Sequence, residues 1–379
     1  MKVDILIRKG HVYDPSIGLD YVGDLVVNKG RIVAYEASED VEATREINAE
    51  GCWVIPGMID VHTHFSRFCT HIGMNPDIAG IPMGVTAMVD GGSTGVSNYR
   101  AFLNSLNTYE IKSKIFLNIC AGGQIMSTQY TENVDPSVWD IGLFEQAFEK
   151  YGDRIAGIKM RTSIPIVKEL GMKPLEKTVE LAEHLGTRVM VHTTNPPCTM
   201  SQLAAMLRPG DIISHMYHGV GHTLLVDGHV AEGVKEAKKR GVIFDVSQGQ
   251  GNFAIPVAQQ AIREGFYPDA VSTDLNMESW NNPLAFSLLM TMSKLKAMGL
   301  PFDRLIDGVT RVPAQIMGMG GELGTLKLGT CADITIIRDT PRKTKFIDKY
   351  DNTLEADSIL MPMCTIIDGL IQYRSPETL

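Results

Sequence analysis

The chain has 379 residues, 44% of them hydrophobic, ample for a large buried core, although a single barrel can absorb about 250 of them. Its 35 basic and 44 acidic side chains leave a formal charge of −9 with no basic run to offset it, which argues against nucleic acid as the main partner. Six scattered cysteines without a CxxC pair, and no apolar stretch near the roughly 18–20 residues of a membrane span, read as a soluble protein of a reducing, cytoplasmic compartment with no membrane partner.

In chain order, the first 55 residues look all-β. The run from Met1 to Ile7 carries Asp4 and does not resemble a signal peptide. Asp4 to Gly10 reads as a strand and turn, and Gly23 to Val33 as two strands joined at Lys29-Gly30. The middle alternates. Short apolar runs at 57–61, 84–90, 115–120, 155–160, 188–191, 211–214, 242–247 and 270–273 are mostly separated by helical stretches, clearest at Lys173 to Leu185 and Ala231 to Arg240. Eight such units predict a (β/α)₈ barrel over residues 57–318. The end of the chain returns to short strands, at Cys331 to Ile337 and Met363 to Gly369. Each terminal piece is too small to bury a core alone, so residues 1–56 and 319–379 are expected to join into one small β-sandwich domain.

Five barrel strands end in a polar residue of metal-ligand or catalytic type. The first ends in Asp60-Val61-His62-Thr63-His64, the fourth in Lys159-Met160-Arg161, the fifth in His192, the sixth in His215 and the eighth in Asp274. Barrel enzymes place their sites at that rim. Side chains alternate along a strand, so His62 and His64 share a face, and so do Lys159 and Arg161. Imidazole and carboxylate suit zinc or a similar divalent ion. A buried ammonium is no ligand and is costly, but a neutral lysine can take up CO₂ and become a carbamate that bridges two cations. A hydroxide held between such ions could attack a carbonyl near neutral pH. Taken singly, each of these residues would pass for a packed histidine, a surface lysine or a helix cap; their shared position at one rim makes the pattern. Tyr217, His218 and His222 follow the sixth strand and could line the pocket. Gln248 and Gly249, in Gln248-Gly249-Gln250-Gly251-Asn252-Phe253, form a candidate substrate loop, and the lysine-serine pair of a phosphate loop is absent.

These residues resemble the amidohydrolase superfamily. Val54 to His64 is similar to its first-strand signature, and Gly320 to Ile334 to its C-terminal β-domain motif. The resemblance implies that His62, His64 and Asp274 hold one divalent ion, zinc by the chemistry of the donors, and that His192 and His215 hold the other. Carboxylated Lys159 and a hydroxide would bridge them, and Asp274 would carry the proton to the leaving group. Dihydroorotases carry an arginine two residues after the second histidine, where this chain has Ser66. Mononuclear deaminases carry a glutamate three residues after the fifth-strand histidine, where this chain has Asn195, and they lack the lysine. Gly84 to Gly95 and Gly157 to Arg161 look most similar to a dihydroorotase-like branch that deacetylates N-acetyl amino acids or acetylated 2-hydroxy acids, although Asn276 replaces a histidine common there. The expected partner is a small molecule bearing a carboxylate, bound by Arg161, with self-association into a homo-oligomer left open. A cyclic-amide hydrolase and a catalytically silent scaffold are the competing expectations.

Overall fold

The computed structural model describes residues 2–38, 40–126 and 129–378. Strands β1 (Lys2–Asp14), β2 (Leu19–Asn28), β3 (Arg31–Ala34), β4 (Glu42–Asn48) and β5 (Trp53–Pro56) come first. The parallel series follows: β6 (Met58–Thr63), β7 (Val85–Asp90), β8 (Lys112–Asn118), β9 (Ile155–Arg161), β10 (Val189–His192) and β11 (Ile212–Ser214). A short hairpin, β12 (Leu225–Val226) and β13 (His229–Val230), precedes β14 (Ile243–Phe244), and the chain ends with β15 (Ile334–Ile347), β16 (Thr353–Ile367) and β17 (Leu370–Arg374).

The two chain ends share one sheet in the order β17-β16-β15-β5-β1-β2-β3, with β4 paired to β1. Neither end could stand without the other: β5 pairs with β15 on one side and with β1 on the other. The core of this sheet is filled from both ends by Ile5, Ile7, Val54, Ile334, Ile336 and Ile366.

The parallel sheet runs β14-β11-β10-β9-β8-β7-β6 and curls into the barrel. Strands β6 and β7 are buried at every position, as expected where helices cover one face and the barrel interior the other. The expected eighth strand at 270–273 departs from regular geometry. Residues 270–275 instead form an extended segment that closes the gap between β14 and β6. Val246 N donates to Ala270 O at 3.1 Å and Gly249 N to Thr273 O at 2.8 Å on one side. Asp274 N donates to His62 O at 2.8 Å and His64 N to Leu275 O at 2.7 Å on the other. Buried Asp60 completes the closure by accepting from Thr273 N at 3.1 Å and Thr273 Oγ1 at 2.6 Å. Side-chain bonds replace part of the ladder here, which is why the apolar run reads as a strand in sequence yet lacks continuous pairing.

The helices follow their apolar spacing. Lys173–His184 buries Leu175, Thr178, Leu181 and Ala182. Glu232–Arg240 buries Val234 and Ala237 and ends at Gly241, whose φ of 102° suits a left-handed cap. No helix among the described residues is long and apolar enough to cross a membrane.

Candidate metal centre

Six side chains named from sequence meet at the rim where β6, β9, β10, β11 and the closing segment end. One ligand atom from each of His62, His64 and Asp274 lies within 4.8 Å of the others. Asp274 Oδ1 is 3.1 Å from His64 Nε2 and 3.7 Å from His62 Nε2. Lys159 Nζ lies 3.1 Å from His62 Nε2. The His215 ring centroid is 5.2 Å from that of His62 and 4.2 Å from that of His192. The chain thus brings all six into one cluster.

The other edge of three imidazoles is already occupied. His62 Nδ1 lies 2.7 Å from Ser247 Oγ, whose hydroxyl donates to Asp245. His64 Nδ1 lies 2.8 Å from Ser93 Oγ, whose hydroxyl donates to Asp90 at 2.8 Å. His215 Nδ1 lies 2.7 Å from Ser247 O. Assigning the proton to Nδ1 satisfies each of these contacts and leaves Nε2 as a free lone pair. Imidazoles oriented this way by serine, carboxylate and carbonyl partners are what a metal site requires. The donor set therefore fits divalent ions.

Sequence reasoning missed this supporting layer of Asp90, Ser93, Asp245 and Ser247. Its signal was present. An aspartate closes β7 and another lies just past β14, each followed within three residues by a serine. Asp245 also accepts from Ser272 Oγ at 2.7 Å, which ties the seventh strand end to the closing segment.

Electrostatics favour neutral nitrogen ligands beside an ionised carboxylate. Burial holds His62, His192 and His215 well below the usual histidine range, with neighbouring cationic groups acting in the same direction. Burial also brings Lys159 down to about 7, so its amine is readily neutral. Asp274 goes the other way. Burial would raise its pKa, but the contacts with His64, His215 and His62 hold it well below the usual carboxylate range. Asn252 Nδ2 donates to its Oδ2 at 3.1 Å. Gly249 makes room for that contact: with φ of 53°, a Cβ there would lie 2.6 Å from Asp274 Oδ2.

The remaining expected residues are placed less uniformly. Arg161 is part-exposed at the rim, with Nη1 3.2 Å from Glu132 Oε1. Tyr217 is fully buried in the barrel core, edge-on to Phe253 at 5.9 Å, rather than on an open wall. Gln248 is also fully buried, and its amide donates to Leu284 O. His218 is buried, and burial lowers it to about 4.

A parallel barrel with a convergent nitrogen and carboxylate cluster at its C-terminal rim defines a metal-dependent hydrolase class. The amidohydrolase family model matches residues 53–369, and the chain belongs to that family; it is a hydrolase. A deacetylase of Brucella anthropi is 31% identical over 352 residues, covering 92% of this chain and 87% of the relative. The solved structure of an adenine deaminase superposes with a TM-score of 0.87 at 26% identity, covering 98% of this chain and 100% of that one. That of a dihydroorotase gives 0.86 at 26% identity, covering 98% of both.

Proposed function

We propose that the protein is a binuclear metal-dependent hydrolase that deacetylates an N-acetyl amino acid or an acetylated 2-hydroxy acid. The observation that carries this reading is the convergence of His62 and His64 Nε2 on Asp274, and of His62 Nε2 on the buried Lys159 amine, with the Nδ1 edges already engaged. His62, His64 and Asp274 would hold one ion, and His192 and His215 the other. Lys159, carboxylated by CO₂, would join them, and zinc suits the donors. Divalent ions in such a set acidify water and polarise a carbonyl.

The chain's own residues divide the remaining work. Asp274 is ionised at neutral pH and can accept a proton from the attacking water at Oδ1 and deliver it to the leaving nitrogen or oxygen. Asn252 restrains its other oxygen. Arg161 lies opposite His192 in the β9–β10 register, so a carboxylate bound to its guanidinium would rest beside the metal cluster. The deacetylase name of the Brucella relative, over most of both chains, supports the acyclic substrate.

A cyclic-amide hydrolase is the second reading, favoured by the likeness to a dihydroorotase. Against it, the position two residues after His64 is Ser66, a buried hydroxyl with no hydrogen-bond partner among the described residues, where a cation would be needed for a ring carboxylate. A deaminase fits less well, since Asn195 stands in place of a carboxylate and Lys159 is retained. A panel of N-acetyl amino acids, acetylated hydroxy acids and cyclic imides separates these readings. Turnover confined to cyclic imides, or to an aminopurine, would overturn the deacetylase proposal.

A further inference from the structure

We propose that Glu132 is a positioning residue for the substrate's carboxylate, acting through Arg161. The inference rests on the reading of Arg161 given above.

Glu132 lies on the long loop after β8, and its side chain is only 2% exposed. A carboxylate so deeply buried is costly unless its oxygens are engaged. One of them is: Oε2 accepts from Asn118 Nδ2 at 3.0 Å, and the same nitrogen donates to Gly92 O at 2.9 Å. Asn118 is the last residue of β8, so this oxygen is fixed to the barrel frame. The other oxygen, Oε1, faces Arg161 Nη1 at 3.2 Å and has no hydrogen bond of good geometry. Among the described residues its only partner is that guanidinium.

Seen from Arg161, the arrangement is equally one-sided. Among the described residues its side chain has no ion-pair or hydrogen-bond partner except Glu132. The guanidinium is 26% exposed and keeps several N–H groups free. A free arginine at a strand end samples many rotamers, and ordering it on substrate binding would cost affinity. Glu132 holds one nitrogen in place, so the remaining N–H groups are already aimed when the ligand arrives. It also offsets a positive charge that would otherwise stand beside a cluster built to take cations. The ligand class that fits is a monocarboxylate, met by the unoccupied side of the guanidinium.

The test uses the metal-loaded enzyme with an accepted acetylated acid and its neutral methyl ester. Arg161→Met is measured first and should raise KM for the acid far more than for the ester. Glu132→Gln keeps the volume and the acceptor for Asn118 but turns an amide N–H group towards Arg161. It should raise KM for the acid about 3- to 10-fold, the scale of ordering one rotamer-rich side chain on binding, with kcat within about twofold. The ester's KM and the metal content should stay near wild type. Glu132→Asp keeps the charge on a shorter arm and should give an intermediate shift; it supplies the same readout if Glu132→Gln does not fold. Equal losses for acid and ester, or loss of metal, would make Glu132 structural. Discrimination by Arg161→Met without any by the Glu132 variants would overturn this proposal and leave the carboxylate reading standing. No discrimination by either would overturn both.

Discussion

On the rim formed by β6 to β9, His62 and Lys159 stand within regular strands and His64 one residue beyond, and alternation with period two suffices to aim them. The facing rim is built differently. There β11 is three residues long and β14 only two, and the closing segment is no regular strand. His215, Ser247 and Asp274 lie just past or within these elements with φ of 63°, 40° and 54°. Left-handed backbone costs about 1–3 kcal/mol per non-glycine residue, so three such residues in one site need support. The main-chain bond from Asp274 N to His62 O, and those of Ser272 and Ser247 to Asp245, supply it. The contrast teaches that regular strand can place a ligand cheaply, whereas a ligand needed at an angle that alternation does not reach is placed by a strained turn and held by a polar network.

The largest effect should come from the regular side. Lys159→Ala removes the side chain proposed to join the two ions. It should lower metal content from close to two ions per chain and reduce turnover by at least as much as any change on the strained side. Elemental analysis finding one ion in the wild type, with metal content and activity unchanged in Lys159→Ala, would sink the binuclear assignment. On the strained side, Asp274→Asn keeps the shape of the turn and removes the proton acceptor. It should cost on the order of 10²–10⁴ in kcat while leaving the melting temperature nearly unchanged. A wild-type pH–rate profile in that variant would refute the shuttle role.

Two serines sharpen the comparison, because they support histidines in the same way from opposite sides. Ser93→Ala and Ser247→Ala should each weaken metal affinity by about 10–100-fold, read by competition with a chelator. If only Ser247→Ala does so, the orienting network matters on the strained side alone. The smallest effects are expected in stability, at Gly249 and at Met160. Adding a Cβ at its left-handed φ, against Asp274, should destabilise by about 1–3 kcal/mol in denaturant titration. The matching change on the regular side, Met160→Leu, should stay under about 1.5 kcal/mol. Similar losses for the two would erase the distinction drawn here.

The same contrast marks what could be read from sequence. The barrel, the shared terminal sheet and the six clustered side chains follow from apolar runs and the residues that end them, because burial on both faces leaves a continuous signature. His62, His64 and Lys159 were legible as a pair and a strand end. The closing segment was legible only as an apolar run, since the side-chain bonds of Asp60 that replace its ladder leave no periodic trace. Glu132 was illegible: it comes from a long loop, and nothing near it in sequence points to Arg161. Tyr217 and Gln248 read as pocket residues because they follow strand ends; both are fully buried, Tyr217 among core apolar side chains and Gln248 with its amide on Leu284 O.

The root of β6 is held by residues far downstream of it in the chain. Gly57 N donates to Asp333 O at 2.7 Å, and Met58 N to Thr335 Oγ1 at 3.1 Å. The strand that carries the two-histidine motif therefore leaves the ribosome long before its anchor exists. Contacts of such sequence separation form late and slowly. The frame beneath His62 and His64 is therefore complete only once β15 has docked against β5 and the root of β6.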